Sequence, residues 1–292
     1  MHTAKEKLFH SLLVLLALTA IGLLWFLLIF MIHESLPALQ EIGLKELLFG
    51  SDWRPVLFKD TPSYGLRNML LSTIYVSALA VLITLIIGVG CSIWLSCAIS
   101  DRLRHYLLPC IDLLAGIPSV VYGFVGLYFV VRTIERLGRA AGESILAGGI
   151  VLSIMILPYM ISSCCHTMVD LRHRYEAPSC ALGVDHWYLA AALILPASRR
   201  GILISTALAT GRAMGETMAV MMVIGNAITV PTMLGKGETI ASLIALEMGM
   251  AERGSLHFSA LYAAGLILLI ILLAINFLFS MLQKKLRKEG HL

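Results

Sequence analysis

The chain has 292 residues, 59% of them hydrophobic and only 14% charged, with a mean hydropathy of +0.88 and a formal net charge of +4. Soluble domains carry about 25% charged residues, so this composition cannot cover a water-facing surface. It excludes a soluble globular protein and points to an integral membrane protein.

Lys5 and Lys7 precede an uncharged apolar run from Ser11 to Ile32. A span needs about 20 residues, more than a signal-peptide core, so this run reads as a retained first transmembrane helix with its N-terminus inside. His33 to Gly65 is polar, with Pro37, Pro55, Pro62, Asp52 and Asp60, and is expected outside with a short amphipathic helix around Leu36–Leu48. It serves either as a connector or as a docking surface for an external partner. The second span is expected over Asn68–Ser96, returning inside at Asp101, Arg102 and Arg104.

The third span is expected over Leu107–Val131, interrupted by Pro109, Gly116, Pro118, Gly123 and Gly126. Broken helices of this kind line cavities in transporter cores, and glycines also serve close helix packing; both readings stand. Asp112, near its inner end, reads as an interfacial or paired carboxylate. The fourth span is expected over Ser144–Cys164 with a bend at Pro158, the fifth over Gly201–Gly225 and the sixth over His257–Leu282. Six spans place both termini on one side. The positive-inside bias agrees mildly with that side being cytoplasmic, but Arg132, Arg136 and Arg139 on the outer side run against it.

The segment 165–200 is the longest inner one. It divides into short helices at Tyr175–Leu182 and Val184–Ile194, with Gly183 free to take positive φ between them and Pro196 suited to the first turn of the next helix. Within the fifth span, Arg212 and Glu216 lie four apart and so share one helix face. A charge at mid-bilayer costs about 2.5–3.5 kcal/mol on insertion scales and needs a partner or water. Arg212 therefore faces either a translocation path, where its guanidinium matches an oxyanion edge, or Glu216 in a structural ion pair.

The six cysteines form no CxxC pair and read as small buried residues. The nine histidines show no HExxH spacing, and Gly235-Lys236 lacks the flanking residues of a phosphate-binding loop. No catalytic, metal or cofactor set is evident. A secondary transporter would carry more intramembrane acids and an internal repeat, and neither is clear.

Glu176-Ala177, Gly183 and Leu195-Pro196 resemble the cytoplasmic loop signature of ABC importer permeases. Glu176 sits one residue further from Gly183 than is usual there, and Pro178 stands where Ala is common. Gly211-Arg212-Ala213-Met214-Gly215-Glu216-Thr217-Met218-Ala219-Val220, with Gly116-Ile117-Pro118-Ser119-Val120-Val121-Tyr122-Gly123, resembles the phosphate-specific (Pst type) subgroup, its C-type rather than its A-type subunit. The resemblance implies an all-α protein with six transmembrane helices in the type I (MetI-like) permease fold. It implies division into an N-terminal helix and external segment (1–66), a permease core (67–283) and a basic inner tail (284–292).

By the same resemblance, Glu176, Ala177, Gly183, Leu195 and Pro196 would couple to a separate ATPase, and Arg212, Glu216 and Thr217 would line the substrate pathway. The implied partners are a second permease subunit (PstA-like), a dimer of ATPase subunits (PstB-like) and an external phosphate-binding protein (PstS-like), in a bacterial inner membrane. ATP hydrolysis would reside on the partner. A permease for sulfate or molybdate is the alternative reading.

Overall fold

The computed structural model describes residues 4–55, 62–138 and 142–289. Asp60 and Arg139 of the sequence reading lie outside them. Helix α1 (Ala4–Glu41) passes Ile32 without a break and continues through Pro37. The polar-looking stretch after Ile32 hides a packed face, with Ser35 and Ala38 fully buried. The first breaker is Gly43, at φ 84°, and α2 (Leu44–Phe49) follows it. The amphipathic helix expected over Leu36–Leu48 is thus cut in two by a left-handed glycine, a conformation without a Cβ penalty only for that residue. Strand β1 (Trp53–Arg54) then pairs antiparallel with β2 (Ser63–Tyr64), Trp53 opposite Tyr64.

Helix α3 (Arg67–Ile93) ends in a π-helical turn at Trp94–Ala98. It packs along α7 (Ile145–Ala181), which lies at the centre of the bundle: 67% of its most apolar window is buried, against none of α1's. Small residues bring the two helices close. A Cβ on Gly149 would lie 2.5 Å from Leu79 Cδ2, and one on Gly88 would lie 2.9 Å from Met160 Cγ. Thr84 Oγ1 donates to Ser153 O at 3.2 Å and Ser92 Oγ to Ile161 O at 3.0 Å. Residue numbers rise together along both helices, so α3 and α7 run parallel, and the chain between them must cross back once.

That return is a bent pair. Helix α4 (Asp101–Ala115), capped by the Ser100 side chain, meets α5 (Ser119–Val125), a π-helical turn (Gly126–Val131) and α6 (Arg132–Arg136) at 90°. The single span expected over Leu107–Val131 is corrected accordingly. Gly116 and Pro118 fall at the corner, where proline lacks the N–H that would continue the helix. The freed Leu114 carbonyl accepts the Tyr122 hydroxyl at 2.8 Å.

The fourth and fifth spans are redrawn as well. Helix α7 runs on through Pro158 and Pro178 to Ala181, so Tyr175–Leu182 is its last part rather than a separate helix. After Gly183 come α8 (His186–Tyr188), a π-helical turn (Leu189–Ile194) and α9 (Leu195–Ala197). They meet α10 (Arg199–Gly215) at 58°, and α11 (Met218–Ile224) follows a break. Helix α12 (Ile240–Glu247) opens with a Thr239–Ser242 capping box, and α13 (Leu256–Glu289) ends the fold. Among the described residues, four helices are long and apolar enough to cross a membrane, and six spans result when each bent pair counts as one.

Helices α1 and α13 run antiparallel, with Phe30 on the Tyr262 ring and Met31 against Gly265. The outer end is tied by polar contacts. Glu247 accepts from Trp53 Nε1 at 2.8 Å and lies 2.8 Å from His257 Nε2. Glu238, 5% exposed, lies within electrostatic reach of the same carboxylate. Of the cysteines, Cys97, Cys164 and Cys165 are buried as expected, whereas Cys110 and Cys180 are exposed.

Candidate functional site

Two regions carry the residues singled out in the sequence. The first is the break between α10 and α11. Helix α10 stops at Gly215, Glu216 is extended (φ −73°, ψ 124°), and α11 restarts after Thr217. Gly215 weakens the helix locally, and the Glu216 side chain supplies the next helix with a cap by accepting from Ala219 N at 3.3 Å. Arg212 and Glu216 therefore do not share a helix face, and no ion pair joins them. Thr217 is half-buried, its hydroxyl 3.4 Å from Gly215 O.

Arg212 is exposed, in one stripe with Ile204, Leu208 and Gly215, all on the side of α10 turned away from the core. Ala209, Ala213 and Met214 fill the opposite side. Among the described residues no carboxylate lies within 4 Å of its guanidinium. The nearby charge-responsive groups are the Tyr122 and Tyr159 phenols, within electrostatic reach. A permanent cation thus sits unpaired on the surface of an apolar span, beside the tyrosine that closes the α4–α5 corner.

The second region is the inner corner. Helix α7 ends in a Schellman motif: Val184 N donates to Ser179 O at 3.0 Å and Gly183 N to Cys180 O at 3.1 Å, with Gly183 at φ 68°. Asp185 caps α8 through Trp187 N at 3.0 Å. Leu182, Trp187 and Tyr188 are 81%, 62% and 60% exposed, an apolar group on a turn beyond the apolar part of the bundle. Ala177 is exposed and Pro196 half-buried, while Leu195 packs half-buried against the cluster of Met160, Cys164, Met168, Leu189 and Ile194.

Glu176 pairs within its own helix, with Arg172 Nη2 at 3.0 Å. Arg172 also donates to Ser96 O at 2.9 Å and lies 3.6 Å from Asp101, and Arg104 bonds Asp101 at 2.7 Å. His186 contacts the Cys97 carbonyl. The π-helical end of α3 leaves these carbonyls without helical partners, and the side chains of α4, α7 and α8 take them up. Neither Arg104 nor His186 stands out in the sequence. The one legible sign was the four-residue spacing of Arg172 and Glu176.

Beside this corner a cavity of about 460 Å³ is lined by Asp101, Arg104, His105, Asp112, His166 and His173. Asp112 is exposed and, among the described residues, makes no ion pair, so of the two expectations the interfacial carboxylate fits and the paired one does not. Among the described residues no three His, Cys, Asp or Glu are grouped to hold a metal ion.

Residues 88–288 match the family model described as binding-protein-dependent transport system inner membrane component. The chain is 35% identical over 239 residues to the probable ABC transporter permease protein YqgH of Bacillus subtilis (strain 168), covering 81% of this chain and 75% of that one. It is 31% identical over 276 residues to the phosphate transport system permease protein PstC of Xylella fastidiosa (strain Temecula1), covering 87% and 83%. A solved structure of the inward-facing MetNI methionine ABC transporter superposes with a TM-score of 0.59 at 12% identity, over 75% of this chain and 94% of that chain. At that identity the likeness is one of fold.

Proposed function

The chain belongs to the family of inner membrane components of binding-protein-dependent transport systems, and from that premise we propose that it is the C-type permease subunit of an ATP-driven importer of inorganic phosphate. Members of this family are multi-pass inner-membrane subunits and not themselves enzymes. In our reading a second, A-type subunit covers the exposed stripe of α10, and the pathway runs between the two. An external phosphate-binding protein delivers the anion, and a dimer of ATPase subunits seats the turn at Gly183 and the helix that follows. Both termini are then cytoplasmic.

The observation that carries this reading is Arg212. Its guanidinium is exposed and free of carboxylates, in a span where lipid would penalise it. Two parallel N–H donors of a guanidinium match a phosphate edge. Glu216 caps α11 rather than pairing with Arg212, so it is the broken backbone that keeps Arg212 uncompensated. At the inner corner, a push on α8 reaches α3 through His186 and the arginine bonds on Ser96, as well as through the chain itself. Phosphate uptake by Arg212→Ala and Arg212→Lys, at equal membrane levels, tests the pathway role. We expect uptake to be lost in the first and reduced in the second. Normal uptake in both removes Arg212 from the path.

A further inference from the structure

Two of the three arginines that run against the positive-inside bias, Arg132 and Arg136, have a place in the fold. Helix α6 presents Arg132, Thr133 and Arg136 outward, and with Tyr128 and Phe129 of the preceding π-helical turn they line a cavity of about 550 Å³. Both guanidiniums are exposed. They lie four apart on one helix, where like charges repel, and among the described residues neither has a carboxylate within 4 Å. Glu135, between them in sequence, pairs with neither. Lys236, another cation expected on the outer side, is already neutralised by Glu143 at 2.6 Å.

We infer that this cavity is a binding site for a phosphate-type oxyanion, held between the Arg132 and Arg136 guanidiniums. An anion shared by two forks relieves their mutual repulsion and supplies acceptors for donors that have none. The Thr133 hydroxyl donates to Phe129 O at 2.6 Å, so its oxygen is fixed at the cavity wall. Tyr122, within electrostatic reach of Arg212, lies ten residues before Arg132 on the same helical run, about 15 Å along its axis. The placement of this end outside the membrane rests on the proposed function. On that reading an anion arriving from outside meets Arg132 and Arg136 before Arg212. Two sources fit the chemistry: free inorganic phosphate, and the phosphodiester of an anionic lipid at the rim of the spans.

Arginine-specific modification with phenylglyoxal, read peptide by peptide by mass spectrometry, separates them. The full chain is placed in nanodiscs of phosphatidylcholine alone, with inorganic phosphate or chloride at matched ionic strength, and in nanodiscs containing phosphatidylglycerol without phosphate. Arg54, exposed at the same end, is the internal control. A free-phosphate site slows modification of Arg132 and Arg136 about tenfold once phosphate exceeds its dissociation constant by about ten, in the neutral nanodiscs. A lipid-headgroup site gives the protection in the phosphatidylglycerol nanodiscs only. Modification of both residues at the rate of Arg54 under every condition overturns the inference. Because the readout requires no transport, it stands apart from the uptake result with Arg212→Ala.

Discussion

Replacing Glu238 by glutamine should change how stability depends on pH. Glu238 lies in the outer connection before α12, almost fully buried, and burial together with the Glu247 charge pushes its pKa up to about 7 from the ordinary glutamate value of 4.5. The folded protein therefore binds this proton more tightly than the unfolded chain. The stability that follows is fully present below pH 4.5 and is lost as pH rises through about 7. The gap of about 2.5 pH units corresponds to roughly 3 kcal/mol. Glu238→Gln keeps the shape and removes the charge. Its apparent melting temperature in detergent should match wild type near pH 4.5 and exceed it by several degrees at pH 8. Parallel melting curves across this range, or a variant less stable at pH 8, would refute the reasoning.

Other substitutions test the packing and the inner corner. A Cβ at Gly126 would lie 2.4 Å from Val151 Cγ2 and 3.2 Å from Val223 Cγ1, so Gly126→Ala should cost about 1–3 kcal/mol, visible as a lowered melting temperature. At Gly183 nothing lies within 4 Å of an added Cβ, and the strain is in the backbone at φ 68°. Gly183→Ala should cost about 1–2 kcal/mol and depress phosphate uptake, whereas Gly183→Asn, which tolerates that region, should retain more. Arg172→Met removes the hydrogen bonds to Ser96 O and Glu176, each worth about 1.5–3 kcal/mol for a charged donor, and the looser 3.6 Å contact to the exposed Asp101. In the assembled importer ATP hydrolysis should persist while uptake per ATP falls; equal losses of both would point to collapse of the fold instead.

The long apolar helices were legible because hydropathy and length alone mark a span, and the turn at Gly183 because glycine takes that φ without a Cβ penalty. The break at Glu216 was not. Gly215, Glu216 and Thr217 continue an unbroken periodic pattern, and the residue that decides the outcome is Ala219, whose N–H the Glu216 carboxylate takes. The 90° corner at Gly116 and Pro118 was legible as an interruption but not as a change of direction, which the Tyr122 bond to Leu114 O holds. The knot at Ser96 and Cys97 could not be read either. It depends on a π-helical turn, one residue out of step, that no local signal announces. His33–Glu41 was misread for a related reason: its composition is polar, yet the buried face needs only Ser35 and Ala38.

The bare guanidinium of Arg212 also bears on how such a subunit is made. A solitary copy in the bilayer would press that cation into hydrocarbon tails, at a cost of about 2.5–3.5 kcal/mol on insertion scales. Surplus copies synthesised without a mate would be strained, and open to the cell's membrane proteases at the spot where the mate belongs. On the proposed pairing, that single side chain would help to set the stoichiometry of the finished machine.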